Sequence, residues 1–297
     1  RLSLVGSEMC IRDSTKAMKK ILVPTDFSNN ALKAVDYAVA IAEKADAEII
    51  LLNALAVVDT TFSSRKAVFE EYNNSLAADM REQLKDLQQT VEKKSTVKIT
   101  TKFLKGSIAD SILKCAVDED VNLIVMGTRG ASGIERMLWG STTAGIIGNT
   151  TIPVLAIPRG AEWKGLKHIL FATRHFEADD KTLIPILKLA QLEAALVHVA
   201  VFTDTDDNDL SGYLEHGRLL NAYQQTLPAK YKDVKFKTEH LEGKEFEDTI
   251  EQYIKGYDID MLVMTTHRRS FWDSMFNRSM TKSMAYQTNI PLLAIPV

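Results

Sequence analysis

The chain has little of what marks an unusual environment. Cysteine occurs only twice in 297 residues, as Cys10 and Cys115. Two thiols cannot build a disulfide framework, and the expectation is a reducing, cytoplasmic location. No apolar run approaches the roughly 18 residues of a membrane-crossing helix, so no membrane partner is expected. No sign of charge dominates: 36 Lys and Arg stand against 39 Asp and Glu, a net charge of −3. Such a balance gives no overall basic field, which argues against nucleic acid or anionic lipid as a partner. The six histidines (His168, His175, His198, His216, His240 and His267) are scattered without metal-ligand spacing. Asp206, Asp207 and Asp209 resemble half of a calcium loop, but no glycine and terminal Glu follow at the required spacing. Cys115 falls on the apolar face of a helix, where a buried thiol is expected instead of a nucleophile.

What is present is the composition of a water-soluble globular protein, 45% hydrophobic and 25% charged. The length suggests two ordinary domains. Residues 1–17, RLSLVGSEMCIRDSTKA, do not share the pattern that follows. They lack the cationic and apolar regions of a signal peptide. They read as a non-native leader of translated adapter sequence ahead of a start at Met18, the alternative being a short native tail.

From there one unit is written twice. KKILVPTDF (19–27) returns 148 residues later as KHILFATRH (167–175), and DVNLIVMGT (120–128) returns 138 residues later as DIDMLVMTT (258–266). IPVLAIP (152–158) and IPLLAIP (290–296) differ at one position. The expected organisation is a first domain over 18–158, a linker over 159–166 and a second domain over 167–297. In the first copy, short apolar runs predict strands at 21–24, 47–54, 97–104, 123–126 and 154–157. Between them, helical spacing predicts helices from Ser28, over 67–93, from Ser107 and over 142–148. The first of these helices would turn Leu32, Val35, Val39 and Ala42 inward, the third Ile108, Ile112, Leu113 and Ala116. The second copy repeats the order, with strands at 168–173, 195–202, 234–241, 260–265 and 292–295. Its helices are expected over 179–193, 209–226, 245–255 and 280–288. Strands joined by helices imply right-handed crossovers and parallel sheets covered on both faces, an α/β doubly wound fold occurring in tandem. Ligands of such folds bind beyond the carboxyl ends of the strands, where the winding reverses.

The chemistry falls there. In VMGTRGASGIERMLWGST (125–142), Gly127 directly follows an apolar strand, and Gly130 and Gly140 lead to Ser141 and Thr142 at a helix start. Glycines let backbone N–H groups approach a phosphate, and a helix N-terminus adds donors and partial positive charge. The spacing is neither that of the Walker loop nor that of the dinucleotide fingerprint. Taken alone, it also fits a tight turn with a helix cap. Asp26, just after the first strand, can accept hydrogen bonds from a ribose or an adenine amine, or can serve only as a turn residue. Together the two features favour an adenine-nucleotide pocket. Arg129 and Arg136 could touch phosphates or remain solvated.

On these motifs, Asp26 after the first strand and G-x2-G-x9-G-S-T after the fourth, residues 18–297 resemble the universal stress protein family in its tandem form. The resemblance implies five-stranded parallel sheets of order 3-2-1-4-5 and ATP as ligand. It implies Asp26, with Pro24 and Thr25 beside it, at the ribose or adenine. Ala54 would offer its backbone to adenine, Met126 and Gly127 would line the pocket, and Gly130, Gly140, Ser141 and Thr142 would hold phosphates. Mg²⁺ could accompany ATP, held mainly by phosphate oxygens. The resemblance also implies a pseudo-dimer within the chain through the two fifth strands, with a homodimer as a further option. The alternative reading of IPVLAIP and IPLLAIP is that each is a buried edge strand between prolines.

The second copy, VMTTHRRSFWDSMFNRSM (263–280), departs at each chemical position. Arg174 aligns with Asp26, Thr265 with Gly127, Arg268 with Gly130 and Arg278 with Gly140, while Ser279 keeps Ser141. Arg174, His175, His267, Arg268, Arg269 and Arg278 either fill the cleft and pair with Asp204, Asp206 and Asp207, or bind a different anion. The expectation is therefore a stress-response regulatory protein with one ATP in the first domain and a mainly structural second domain. No catalytic constellation is evident, so at most slow ATP hydrolysis or nucleotidyl-group chemistry is the enzymatic alternative. A scaffold using neither pocket is the third reading.

Overall fold

A computed structural model describes residues 18–56, 66–128, 140–173, 180–205, 210–266 and 290–297. The first half runs β1 (Lys20–Pro24), α1 (Asn29–Ala45), β2 (Glu48–Leu55), α2 (Lys66–Glu92), β3 (Ile99–Lys105), α3 (Ile108–Asp118), β4 (Leu123–Gly127), α4 (Ser141–Asn149) and β5 (Val154–Ile157). The second runs β6 (His168–Thr173), α5 (Asp180–Glu193), β7 (Leu196–Asp204), α6 (Leu210–Lys230), β8 (Lys235–Gly243), α7 (Phe246–Gly256), β9 (Met261–Thr266) and β10 (Leu292–Pro296). The expected helix over 280–288 lies outside the described residues.

Each half orders its strands 3-2-1-4-5 and keeps them parallel. The two sheets are not separate. They merge into one ten-stranded sheet, β3-β2-β1-β4-β5-β10-β9-β6-β7-β8. The junction is the only antiparallel pairing among these strands, with Leu293 opposite Leu155, Leu292 opposite Ala156 and Ala294 opposite Val154. The strand residues of both IP-x-LAIP copies, 154–157 and 292–295, are therefore buried at the centre of the sheet, and the edges are β3 and β8. β8 (KFKTEHLEG) is only partly buried along most of its length, and its charged side chains discourage further strand addition.

Strand alternation decides which face each side chain serves. Ile21, Val23, Ile49 and Leu51 pack with α1 and α2 in a core that continues through Ile169, Phe171, Val197 and Val199 to α5 and α6. Leu22, Ile50, Leu52, Ile124 and Met126 face the other way, onto α3 and α4. On the matching face of the second half, Leu170, Ala172, Ala200, Phe202, Leu262 and Met264 pack on α7. Two side chains leave the faces that helical spacing gives them. The inward stripe of α1 is Ala31, Ala34, Val35, Ala38, Ile41 and Ala42, and Leu32 is exposed beside it. Ile108 is exposed in the first turn of α3.

The seam between halves is tied at several points. Lys44 of α1 pairs with the buried carboxylate of Glu193 at 2.6 Å. The Tyr37 hydroxyl donates to the Glu162 carbonyl at 2.9 Å, and its ring meets Trp163 edge-on at 5.1 Å. Burial, with the Asp260 and Glu162 charges behind it, pushes the Tyr37 phenol up to about 12. Among the described residues no helix is long and apolar enough to cross a membrane.

Candidate functional site

The first half winds in opposite directions from β1 and β4, which leaves a crevice at their carboxyl ends. A cavity of about 340 Å³ sits there, within the roughly 300–1,000 Å³ usual for small-molecule sites. Its walls hold Pro24, Thr25 and Asp26 from the end of β1, Leu52 and Ala54 from β2, and Met126 and Gly127 from β4. Gly140, Ser141, Thr142 and Thr143 border it from the start of α4, and Ile108 and Ile112 from α3. The structure thus brings nine of the ten residues singled out in the sequence around one cavity. The tenth, Gly130, lies outside the described residues, as do Arg129 and Arg136.

Each wall has a local cause. Thr25 is buried, and its backbone N–H donates to the Leu52 carbonyl at 2.8 Å. Its hydroxyl accepts the Phe27 N–H at 3.0 Å, and an Asp26 carboxylate oxygen accepts the Ser28 N–H at 3.1 Å. Phe27 takes a left-handed backbone, φ 63°, which reverses the chain so that Ser28 can cap α1 through the Ala31 N–H. Asp26 is exposed at this reversal and lines the cavity.

On the opposite wall, the Gly140 N–H donates to the Thr128 carbonyl, which brings Gly140 back beside the end of β4. The Thr143 hydroxyl donates to the Gly127 carbonyl at 2.8 Å. Gly140 precedes α4 in extended conformation with no side-chain cap. The first helical bond runs from the Ala144 N–H to Gly140, leaving the N–H groups of Ser141, Thr142 and Thr143 outside the helix ladder. Those donors, the helix dipole and two hydroxyls make the end of the cavity attractive to an anion. Gly127 is favoured by contact: a Cβ there would stand 2.5 Å from the Asn30 side-chain amide nitrogen and 3.0 Å from the Asn30 backbone oxygen.

The second half carries other side chains at the matching positions. Pro24 pairs with Leu52 as Ala172 pairs with Ala200, so Phe202 takes the place of Ala54. Phe246 and Ile250, first and fifth in α7, match Ile108 and Ile112 in α3. Met126 pairs with Ala156 as Met264 pairs with Ala294. In the first half these six positions line an open cavity. In the second all six belong to one packed apolar cluster, with Phe202 edge-on to Phe246 at 5.3 Å. Exposure falls from 40% at Ile108 to 6% at Phe246. Arg174, His175, His267, Arg268, Arg269, Arg278, Ser279, Asp206, Asp207 and Asp209 lie outside the described residues.

The histidines are less scattered than their sequence positions. His168 and His198 meet at 3.0 Å, and the second ring nitrogen of His198 is 2.8 Å from the Tyr253 hydroxyl. Burial, then the nearby His168 and Lys237, lowers the His198 imidazole to about 4. His216 and His240 share the Thr203 hydroxyl at 3.0 and 2.8 Å. Among the described residues no group of three or more His, Cys, Asp or Glu could hold a metal ion. Cys115 is buried, and burial raises its thiol, which disfavours the nucleophilic thiolate.

The family model described as the universal stress protein family matches this sequence twice, over residues 18–158 and 165–296. The chain belongs to the universal stress protein family. Universal stress protein MJ0531 of Methanocaldococcus jannaschii is 34% identical over 149 residues, covering 50% of this chain and 87% of that protein. Universal stress protein YxiE of Bacillus subtilis is 33% identical over 144 residues, covering 46% of this chain and 97% of that protein. Both are about half as long as this universal stress protein and match one repeat's length. Across nearly the whole chain, a universal stress protein structure from Archaeoglobus fulgidus superposes with a TM-score of 0.73 at 18% identity, covering 94% of this chain and 96% of that one. That likeness establishes the tandem fold and nothing further.

Proposed function

We propose that this universal stress protein binds one ATP per chain, in the first-half cavity, and serves as a nucleotide-dependent regulatory protein of the stress response. The observation that carries the reading is the convergence of Asp26, Ala54, Met126, Gly127, Gly140, Ser141 and Thr142 on one cavity. One end of it is apolar, with Leu52, Ile108, Ile112 and Met126 suited to a flat base. The other is a helix N-terminus with uncapped donors, suited to phosphates. Asp26, at the mouth, would accept from the ribose or the adenine amine. Pro24 and Thr25 fix its direction, and Gly130 would extend the phosphate cradle. Mg²⁺, when present, would be held mainly by phosphate oxygens.

The second half is assigned a structural role. Phe202 packs on Phe246 within its apolar cluster, and its fifth strand pairs with that of the first half. Each half then stands as the other's dimer partner inside one chain, in a reducing cytoplasm. A thermal-shift panel of ATP, ADP, AMP, GTP and inorganic triphosphate tests the reading. ATP should stabilise the protein most, GTP much less, and Asp26→Ala should abolish the preference. Equal shifts with ATP and GTP, or none, would refute adenine recognition.

A further inference from the structure

Strand β2 reads EIILLNAL, and one residue breaks its apolar run. Asn53 is 4% exposed, and a buried amide is costly unless it is hydrogen-bonded. Its side-chain N–H donates to the Thr25 carbonyl at 2.8 Å. That carbonyl belongs to the residue between the last of β1 and Asp26.

The two halves differ at this point by one rung. In the first half, β1–β2 pairing ends at Pro24 opposite Leu52. In the second, β6–β7 pairing runs one residue further, to Thr173 opposite Val201. Val201 is the counterpart of Asn53, and Thr173 of Thr25. In a parallel ladder the even residues of β2 bond toward β1, as the Thr25 N–H to Leu52 carbonyl bond shows. The next rung would join the Ala54 N–H to the Thr25 carbonyl. Asn53 takes that acceptor from the side, so the strand pair stops where the cavity begins. Valine offers no such donor, and the second half zips on.

We infer that Asn53 is a positioning residue for nucleotide binding, acting through Thr25. By claiming the Thr25 carbonyl it ends the β1–β2 ladder, turns Asp26 out over the cavity and leaves the Ala54 backbone N–H available to the base. The inference deepens the nucleotide reading and rests on it. It also explains why an amide stands in a buried strand position that does not itself line the cavity.

The test uses the full chain with ATP and adenosine as probes, measured by calorimetry or equilibrium dialysis. Asn53→Val imitates the second half and suits a buried strand. It should weaken ATP and adenosine by the same factor, about tenfold, the scale of one buried hydrogen bond. In an Asp26→Ala background the same substitution should cost less than about threefold, because the group it aims is gone. A purely structural role would give an equal loss in both backgrounds. Asn53→His, which keeps a planar N–H donor, should recover most of the affinity. A folded Asn53→Val protein with unchanged affinity, or an unchanged penalty in the Asp26→Ala background, overturns the inference while leaving the nucleotide reading intact. A wild-type chain that binds neither probe overturns both.

Discussion

Ala54 and Phe202 occupy the same rung of the two half-sheets, and one borders a cavity while the other packs into an apolar cluster. The Phe202 ring rests edge-on against Phe246 at 5.3 Å, a favoured aromatic geometry. A methyl group that lines the cavity in the first half is thus matched by a ring in the second. The second half therefore departs from the first in more than its glycines.

Phe202→Ala removes that ring from a packed cluster. It should cost about 3–5 kcal/mol of stability, because the cavity cannot fully collapse. It should not create a second nucleotide site, since Thr265 still stands where Gly127 does. Chemical denaturation with a nucleotide titration checks both halves of the statement. A variant that gains a second ATP at little cost in stability would refute it.

Gly127→Thr copies the second half into the first. The added Cβ would press on Asn30 at 2.5 Å, an overpacking that typically costs about 1–3 kcal/mol. Because Gly127 also lines the cavity, ATP affinity should fall at least tenfold. Denaturation midpoints and ATP titration of the same preparation measure the two effects, and wild-type values in both would contradict the contact.

Acid should weaken the second half before the first. The folded His198 imidazole lies near 4 against an ordinary 6.5. The unfolded chain therefore takes up a proton that the folded one refuses. Stability is whole above pH 6.5 and falls as pH drops toward 4, by about 2 kcal/mol between pH 6.5 and 5. Glu48 is held below its usual range first by its hydrogen bond from Lys98, and Glu119 by that from Lys102. Their contribution is present above the ordinary carboxylate value and is lost only at lower pH. Denaturant midpoints at pH 7 and pH 5 should show the loss in the wild type and a smaller one in His198→Gln. Equal losses would remove His198 from the account.

Separating the halves should expose β10. Residues 165–297 alone lose the partner of Leu292, Leu293 and Ala294, leaving a buried apolar strand as an open edge. That fragment should self-associate in light-scattering measurements. A well-behaved monomer would contradict the central pairing.

Much of this was legible in the sequence, and what was not has particular causes. The strands of each half stand out because buried parallel strands are continuous apolar runs, as in LIVM and VLAI. The wall of the cavity was readable because Asp26 and the glycines fall directly after such runs. Helix faces were read less well. Ile108 has inward spacing but sits in a first turn over open space, and Leu32 lies one step off its stripe. Phe202 and Phe246 look like ordinary core residues until strand register sets them against Ala54 and Ile108. Asn53 carried a signal in the sequence, a lone amide in ILLNAL, but its partner is 28 positions away. The pairing of His168 with His198 likewise depends on β6 lying beside β7.

The most direct measurement is titration calorimetry of the purified full chain with ATP, run beside Asp26→Ala. One ATP per chain in the wild type and a single, markedly weaker site in the variant is the predicted result. Two equivalent sites, or no binding at all, would contradict a single nucleotide cavity built by the first half.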